Sequence, residues 1–77
     1  MGNEVKHRNK KFINSFGKHL RELRTSKGLT QEALADLANV DYTQVNDIEN
    51  GRINTTIATV SQLAKGLKIH PKELFDF

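Results

Sequence analysis

Between Thr30 and Gly51 the sequence places two complete sets of helix-boundary signals inside 22 residues, TQEALADLANVDYTQVNDIENG. Thr30 can cap the first helix with its hydroxyl, Gln31 and Glu32 fill the first turn, and Ala33, Leu34, Ala35, Leu37 and Ala38 combine good helix formers with an apolar face. Asn39 stops that helix, because its short amide tolerates the left-handed backbone of a helix-ending turn. Asp41 caps a second helix, Val45 and Ile48 lie three apart on its inner face, and Gly51 closes it. Helices shorter than roughly 12–15 residues are marginal in water on their own. The rest of the chain must therefore supply the surface on which this pair folds, at a steep angle about its tight turn.

With Val45 and Ile48 inward, the outward face at the start of the second helix is Tyr42, Thr43, Asn46 and Asp47, all able to hydrogen-bond. In a DNA major groove an amide can pair bidentately with adenine, a carboxylate can accept from cytosine, and a threonine methyl can touch the thymine methyl. Any one of these residues alone is better read as part of a solvated helix face. Their placement together, on the second of two short helices, suggests a base-reading surface.

The flanking segments read as supports. From Lys11 to Lys27, Ile13, Phe16, Leu20 and Leu23 recur at spacings of three, four and three, which predicts a core helix ending at a left-handed Gly28. Lys18, Arg21, Glu22 and Thr25 then face water, and His19 falls on the polar side with no second ligand at metal spacing. Gly17 costs that helix about 1 kcal/mol relative to Ala, so it implies close packing or a backbone approach. After a loop from Arg52 to Thr56, Thr56 or Thr55 caps a fourth helix with a core stripe of Ile57, Val60, Leu63, Ala64 and Leu67. Pro71 suits the first turn of a short fifth helix. Leu74, Phe75 and Phe77 carry more apolar surface than so short a terminal helix can hide, so they either seal the core or are shared with a second copy of the chain.

A chain of 77 residues accommodates one domain with a small core, for which an all-α architecture with local contacts is the economical solution. Residues 1–10, MGNEVKHRNK, are polar without an apolar period and read as a flexible basic arm, leaving 11–77 as the domain. The charge is divided: residues 1–27 hold eight Lys or Arg against Glu4 and Glu22, whereas the remainder holds four against seven acids. Such asymmetry fits a protein offering one end to a polyanion, since each cation set on a phosphate releases counterions. A solubilising tail is the plainer reading of residues 1–10 alone.

Enzyme chemistry finds no foothold in this sequence. It contains no cysteine, no Gly-rich phosphate loop and no histidine pair at metal spacing, and Ser15, Ser26 and Ser61 stand in no nucleophile motif. No cofactor, metal or small-molecule ligand is indicated. No apolar run approaches the roughly 20 residues of a membrane span, and Met1-Gly2 lacks the Ser or Thr of a myristoylation motif because Lys6 occupies that place. The expectation is a cytoplasmic protein that does not meet a membrane.

Thr30-Gln31, Leu34-Ala35, Val45, Ile48-Glu49, Gly51 and Arg52, preceded by Leu20, Leu23-Arg24 and Gly28-Leu29 and followed by Leu63-Ala64, Leu67 and Leu74-Phe75, together carry a family resemblance. The chain resembles the lambda-repressor-like, or xenobiotic-response-element, family of helix-turn-helix DNA-binding regulators over residues 16–75, with Asn39 standing where that family usually has glycine. The resemblance implies a compact five-helix bundle, a structural ion pair between Arg24 and Glu49, and no catalytic role for Glu49. A repressor acting as a homodimer on a palindromic operator is expected with it, since one recognition helix reads only a few base pairs, and Leu74, Phe75 and Phe77 are the apolar surface most available for the contact. Tyr42, Thr43, Asn46 and Asp47 would then read bases in double-stranded DNA, while Gln31, Thr43, Asn50, Arg52, Asn54 and the basic arm with Lys10 and Lys11 hold phosphates. The alternative is an antitoxin-like protein-interaction module that touches DNA weakly or not at all. Arg52 and the basic first helix favour DNA; Asp41, Asp47 and Glu49, which make the second helix of the motif acidic, argue the other way.

Overall fold

A computed structural model describes the backbone of residues 2–52 and 54–77, and the side chains of residues 10–52 and 54–77. Four α-helices follow one another, α1 (Gly2–Ser26), α2 (Gln31–Ala38), α3 (Tyr42–Glu49) and α4 (Ile57–Leu67), and the fifth element is a 3-10 turn at Pro71–Phe75 in place of an α-helix. No strand occurs among the described residues. The all-α bundle matches the expected class.

Each α-helix ends in the same device. Gly28, Asn39, Gly51 and Lys68 all adopt positive φ, between 56° and 71°, and the following residue returns its N–H to a carbonyl five positions back. Those following residues are Leu29, Val40, Arg52 and Ile69, and the three apolar ones pack against the core. At the end of α3 the place is taken by Arg52, which is exposed. Helix starts are equally explicit: the hydroxyls of Thr30 and Thr56 accept from the N–H groups of Ala33 and Thr59. Asp41 holds the cap position of α3 without making a side-chain cap bond.

The core gathers Phe16 and Leu20 from α1, Leu34, Ala35 and Ala38 from α2, Val45 and Ile48 from α3, Leu63, Ala64 and Leu67 from α4, and Leu74 from the 3-10 turn. α1 packs on α3 and α2 on both α3 and α4, so the motif pair is clamped between the two outer helices. Gly17 lies directly against α3: a Cβ there would overlap the Ile48 carbonyl oxygen. The glycine that weakens α1 locally is what allows two helix backbones to touch.

Several side chains differ from the sequence expectation. Leu74 is fully buried and takes no part in any exposed surface, because the tight 3-10 turn folds it under the bundle. Ile57, assigned to the core stripe of α4, is 89% exposed, since it is the first residue of that helix and points past the end of the core. Leu37 also faces out. His19 is largely covered: its Nε2 donates to the Glu73 carbonyl at 2.8 Å and its ring lies 5.6 Å from that of Phe77. α1 begins at Gly2, with no helix break at the expected boundary between residues 10 and 11. Met1 and Ile53 lie outside the described residues.

Candidate nucleic-acid interface

The helix-turn-helix is set by a buried electrostatic centre on Glu49. This carboxylate closes the last turn of α3, facing α1, and its side chain is fully buried. Arg24 grips it bidentately, Nε donating to Oε2 at 2.6 Å and Nη2 to Oε1 at 2.9 Å, while Arg24 Nη1 donates to the Leu29 carbonyl at 2.7 Å. Arg21 Nε adds a longer contact to Oε1, 3.3 Å, and Gln31 Nε2 donates to the same oxygen at 2.9 Å. Burial alone pushes the Glu49 carboxyl up, but the bonds from Arg24 and Gln31, the charge of Arg24 and the bond from Arg21 outweigh it and hold the group below its usual value. The bond to Glu49 raises the Arg24 guanidinium above its ordinary value, against the effect of its own burial. This centre ties α1, α2 and α3 together and leaves no unpaired carboxylate there to repel a phosphate.

The four proposed base readers are not equivalent. Tyr42 and Thr43 are exposed at the start of α3. Asn46 is half-buried and its Nδ2 donates to Gln31 Oε1 at 3.0 Å. Asp47 is half-buried and lies 3.6 Å from Arg52 Nη1. Among the proposed phosphate holders, Arg52, Asn54, Lys10 and Lys11 are exposed. Asn54 folds its Oδ1 back onto the N–H of Thr55. Asn50 is exposed, donates to the Asn46 carbonyl at 2.8 Å and accepts from Arg21 Nη2 at 3.3 Å. Gln31 has both ends of its amide engaged within the protein, so its side chain is committed to Glu49 and Asn46.

Arg21 was read from the sequence as a solvent-facing residue of α1. Here it joins the end of α3 through Glu49 and Asn50 and adds a cation beside the motif. Its i and i+3 relation to Arg24 was the available signal, since residues three apart on a helix reach the same neighbour.

At the opposite end of α1 a second surface takes shape. The rings of Phe12 and Phe75 stack with centroids 6.3 Å apart, Phe77 lies 5.4 Å from Phe12, and Phe16 supports Phe75 at 5.1 Å. A groove of about 150 Å³ runs between this cluster and Ile57 and Val60. Phe12, Ile57, Phe75 and Phe77 are all largely exposed, so the apolar surface is shared by α1, α4 and the chain end.

Residues 20–74 match the helix-turn-helix family. Control protein C.BamHI of Bacillus amyloliquefaciens is 36% identical over 63 residues, covering 80% of this chain and 78% of that protein. The transcriptional regulator PuuR of Escherichia coli is 30% identical over 59 residues, 77% of this chain but 32% of the longer relative. Among solved structures, the restriction-modification controller protein C.AhdI of Aeromonas hydrophila superposes with a TM-score of 0.80 at 46% identity, covering 82% of this chain and 96% of that one. The clamped two-helix motif, the extent of the match and these relatives agree: the chain belongs to the helix-turn-helix family, alongside transcriptional regulators and restriction-modification controller proteins.

Proposed function

We propose that this protein is a sequence-specific double-stranded DNA-binding transcriptional regulator, not an enzyme, that acts as a homodimeric repressor on a palindromic operator and works as a controller of a restriction-modification system. The observation that carries the reading is the pairing of the acidic groups on α3. Glu49 is held by Arg24 and Arg21 and Asp47 lies beside Arg52, so two of the three acids that told against DNA are paired within the protein, Asp41 alone standing exposed at the start of α3. Tyr42, Thr43 and the outer edge of Asn46 would then read the bases, with Arg21 and Arg52 as cations at the far end of α3 and Thr43, Asn50, Asn54, Lys10 and Lys11 as further phosphate contacts. Its similarity to control protein C.BamHI and to the restriction-modification controller protein C.AhdI supports the last element. A DNA partner implies the cytoplasm.

Two-fold symmetry follows from size. One α3 reads only a few base pairs, too few to stand out among a genome's competing sites, and two copies set roughly 34–36 Å apart would enter successive major grooves. Phe12, Ile57, Phe75 and Phe77 supply the apolar surface for that contact.

Selection of bound fragments from a random DNA pool, followed by fluorescence anisotropy at several salt concentrations, tests the proposal. A palindromic consensus is expected, with affinity falling roughly 10³- to 10⁵-fold between 50 and 200 mM salt for about 6–10 phosphate contacts. No enriched sequence, or an affinity indifferent to salt, would favour the protein-interaction module.

A further inference from the structure

Resting on the reading in which Asn46 faces base edges, we infer that Gln31 is a positioning residue that fixes which way round the Asn46 amide is held, and thereby makes this position select adenine. The geometry is a chain of three side chains, Glu49 to Gln31 to Asn46, with links of 2.9 and 3.0 Å. The oxygen and nitrogen of an amide are nearly alike in shape, so shape alone does not set its orientation. Here chemistry does. An ionised carboxylate only accepts, so Gln31 must turn its nitrogen to Glu49. Its oxygen then faces Asn46, and because a carbonyl oxygen also only accepts, Asn46 must turn its nitrogen inward. The polarity is imposed from the buried end, where Arg24 holds Glu49 ionised and fully enclosed.

What remains of Asn46 for a partner is one N–H and both lone pairs of Oδ1. That donor-plus-acceptor edge matches adenine, which offers N7 as acceptor and its N6 amino group as donor. Guanine presents two acceptors in the same places, so the free oxygen of Asn46 would face another oxygen. The backbone beneath is fixed as well: Asn50 Nδ2 donates to the Asn46 carbonyl while its own oxygen accepts from Arg21.

The test uses the full chain, with operator duplexes carrying each base in turn at the position that Asn46→Ala relaxes. Wild type should prefer adenine there by about 5- to 150-fold, the range a bidentate contact supplies. Gln31→Met, which keeps the length of the side chain and removes both hydrogen-bonding groups, should lose most of that preference while retaining the other positions and the salt dependence. In free ¹⁵N-labelled wild type, the Asn46 side-chain NH₂ signals should be shifted and slow to exchange, and Gln31→Met should return them to free-amide values. A Gln31→Met protein that keeps the adenine preference overturns the inference and leaves the function standing. If Asn46→Ala relaxes no position, base reading at Asn46 fails and the inference falls with it. Free-amide exchange of Asn46 in wild type overturns the inference without recourse to any variant.

Discussion

Replacing Arg24 tests whether the Glu49 centre behaves as a buried ion pair or as an ordinary surface one. The two limits are well separated: exposed pairs contribute about 0–1 kcal/mol, whereas removing one partner of a buried pair costs about 3–5 kcal/mol. The Arg24 side chain is 11% exposed and the Glu49 side chain fully enclosed, which selects the second limit. Some of the loss is cushioned, because Arg21 and Gln31 still reach Glu49 when Arg24 is gone. Arg24→Leu should therefore fall at the low end, about 3 kcal/mol. At about 4–8 °C per kcal/mol in a domain of this size, Tm drops by roughly 12–24 °C. Arg24→Leu/Glu49→Leu, with neither charge left stranded, should recover about 1–3 kcal/mol relative to the sum of the single variants.

Urea unfolding at neutral and acid pH reads the whole cycle. The folded state holds the Glu49 carboxyl below its usual value, so its contribution is present above the unfolded value of about 4.3 and is lost as pH falls through the lower folded value. Arg24→Leu should weaken that acid-side loss. The raised Arg24 group contributes below its ordinary value and would lose that contribution only in strong alkali. A cost under about 1 kcal/mol for Arg24→Leu, or strictly additive variants, would refute the reasoning and reduce Glu49 to a surface group.

Three other perturbations address different parts of the molecule. Phe75→Ser/Phe77→Ser should abolish cooperative binding to the palindrome while leaving weak half-site binding; an unchanged dimer by sedimentation would move the interface elsewhere. Lys68→Gly should stabilise the protein by about 0.5–1 kcal/mol, since a left-handed lysine costs about 1–2 kcal/mol and glycine gives part of this back through its looser unfolded state. A melt in which Lys68→Gly gains no more than Asn39→Gly would contradict this, because asparagine tolerates that backbone better. Deleting residues 1–10 should leave the thermal transition in place and lower DNA affinity at low salt, and anisotropy showing no change would remove Lys10 from the interface.

The helix ends were legible in the sequence because capping is a local matter: Thr30, Asn39, Gly51 and Thr56 each announce a backbone conformation within a turn of where it occurs. The period of α4 likewise found Leu63, Ala64 and Leu67, yet it misplaced Ile57, because periodicity identifies a face and is silent on where along that face the core stops. Leu74 was grouped with Phe75 and Phe77 on apolar character, and only the tightness of the 3-10 turn separates the residue turned in from those turned out. The contact of Gln31 with Asn46, 15 residues apart on two helices, follows from the crossing of α2 and α3 and from no spacing in the sequence. Arg21 shows the same limit, since a long side chain on a solvent-facing position can reach back across an interface.

The backbone contact at Gly17 bears on who deforms when the protein meets a duplex. With no side chain between α1 and the Ile48 carbonyl, and with Glu49 anchored one residue later, α3 has nothing compressible behind it that would let it slide or tilt to suit a groove. In the proposed dimer, two copies of a stiff reading head joined at one interface would present a fixed separation and pitch. The cost of matching that template then falls on the DNA, through bending and minor-groove compression at base pairs the protein does not touch. Operators should accordingly be ranked by the flexibility of the steps between their half-sites as well as by the bases that α3 meets.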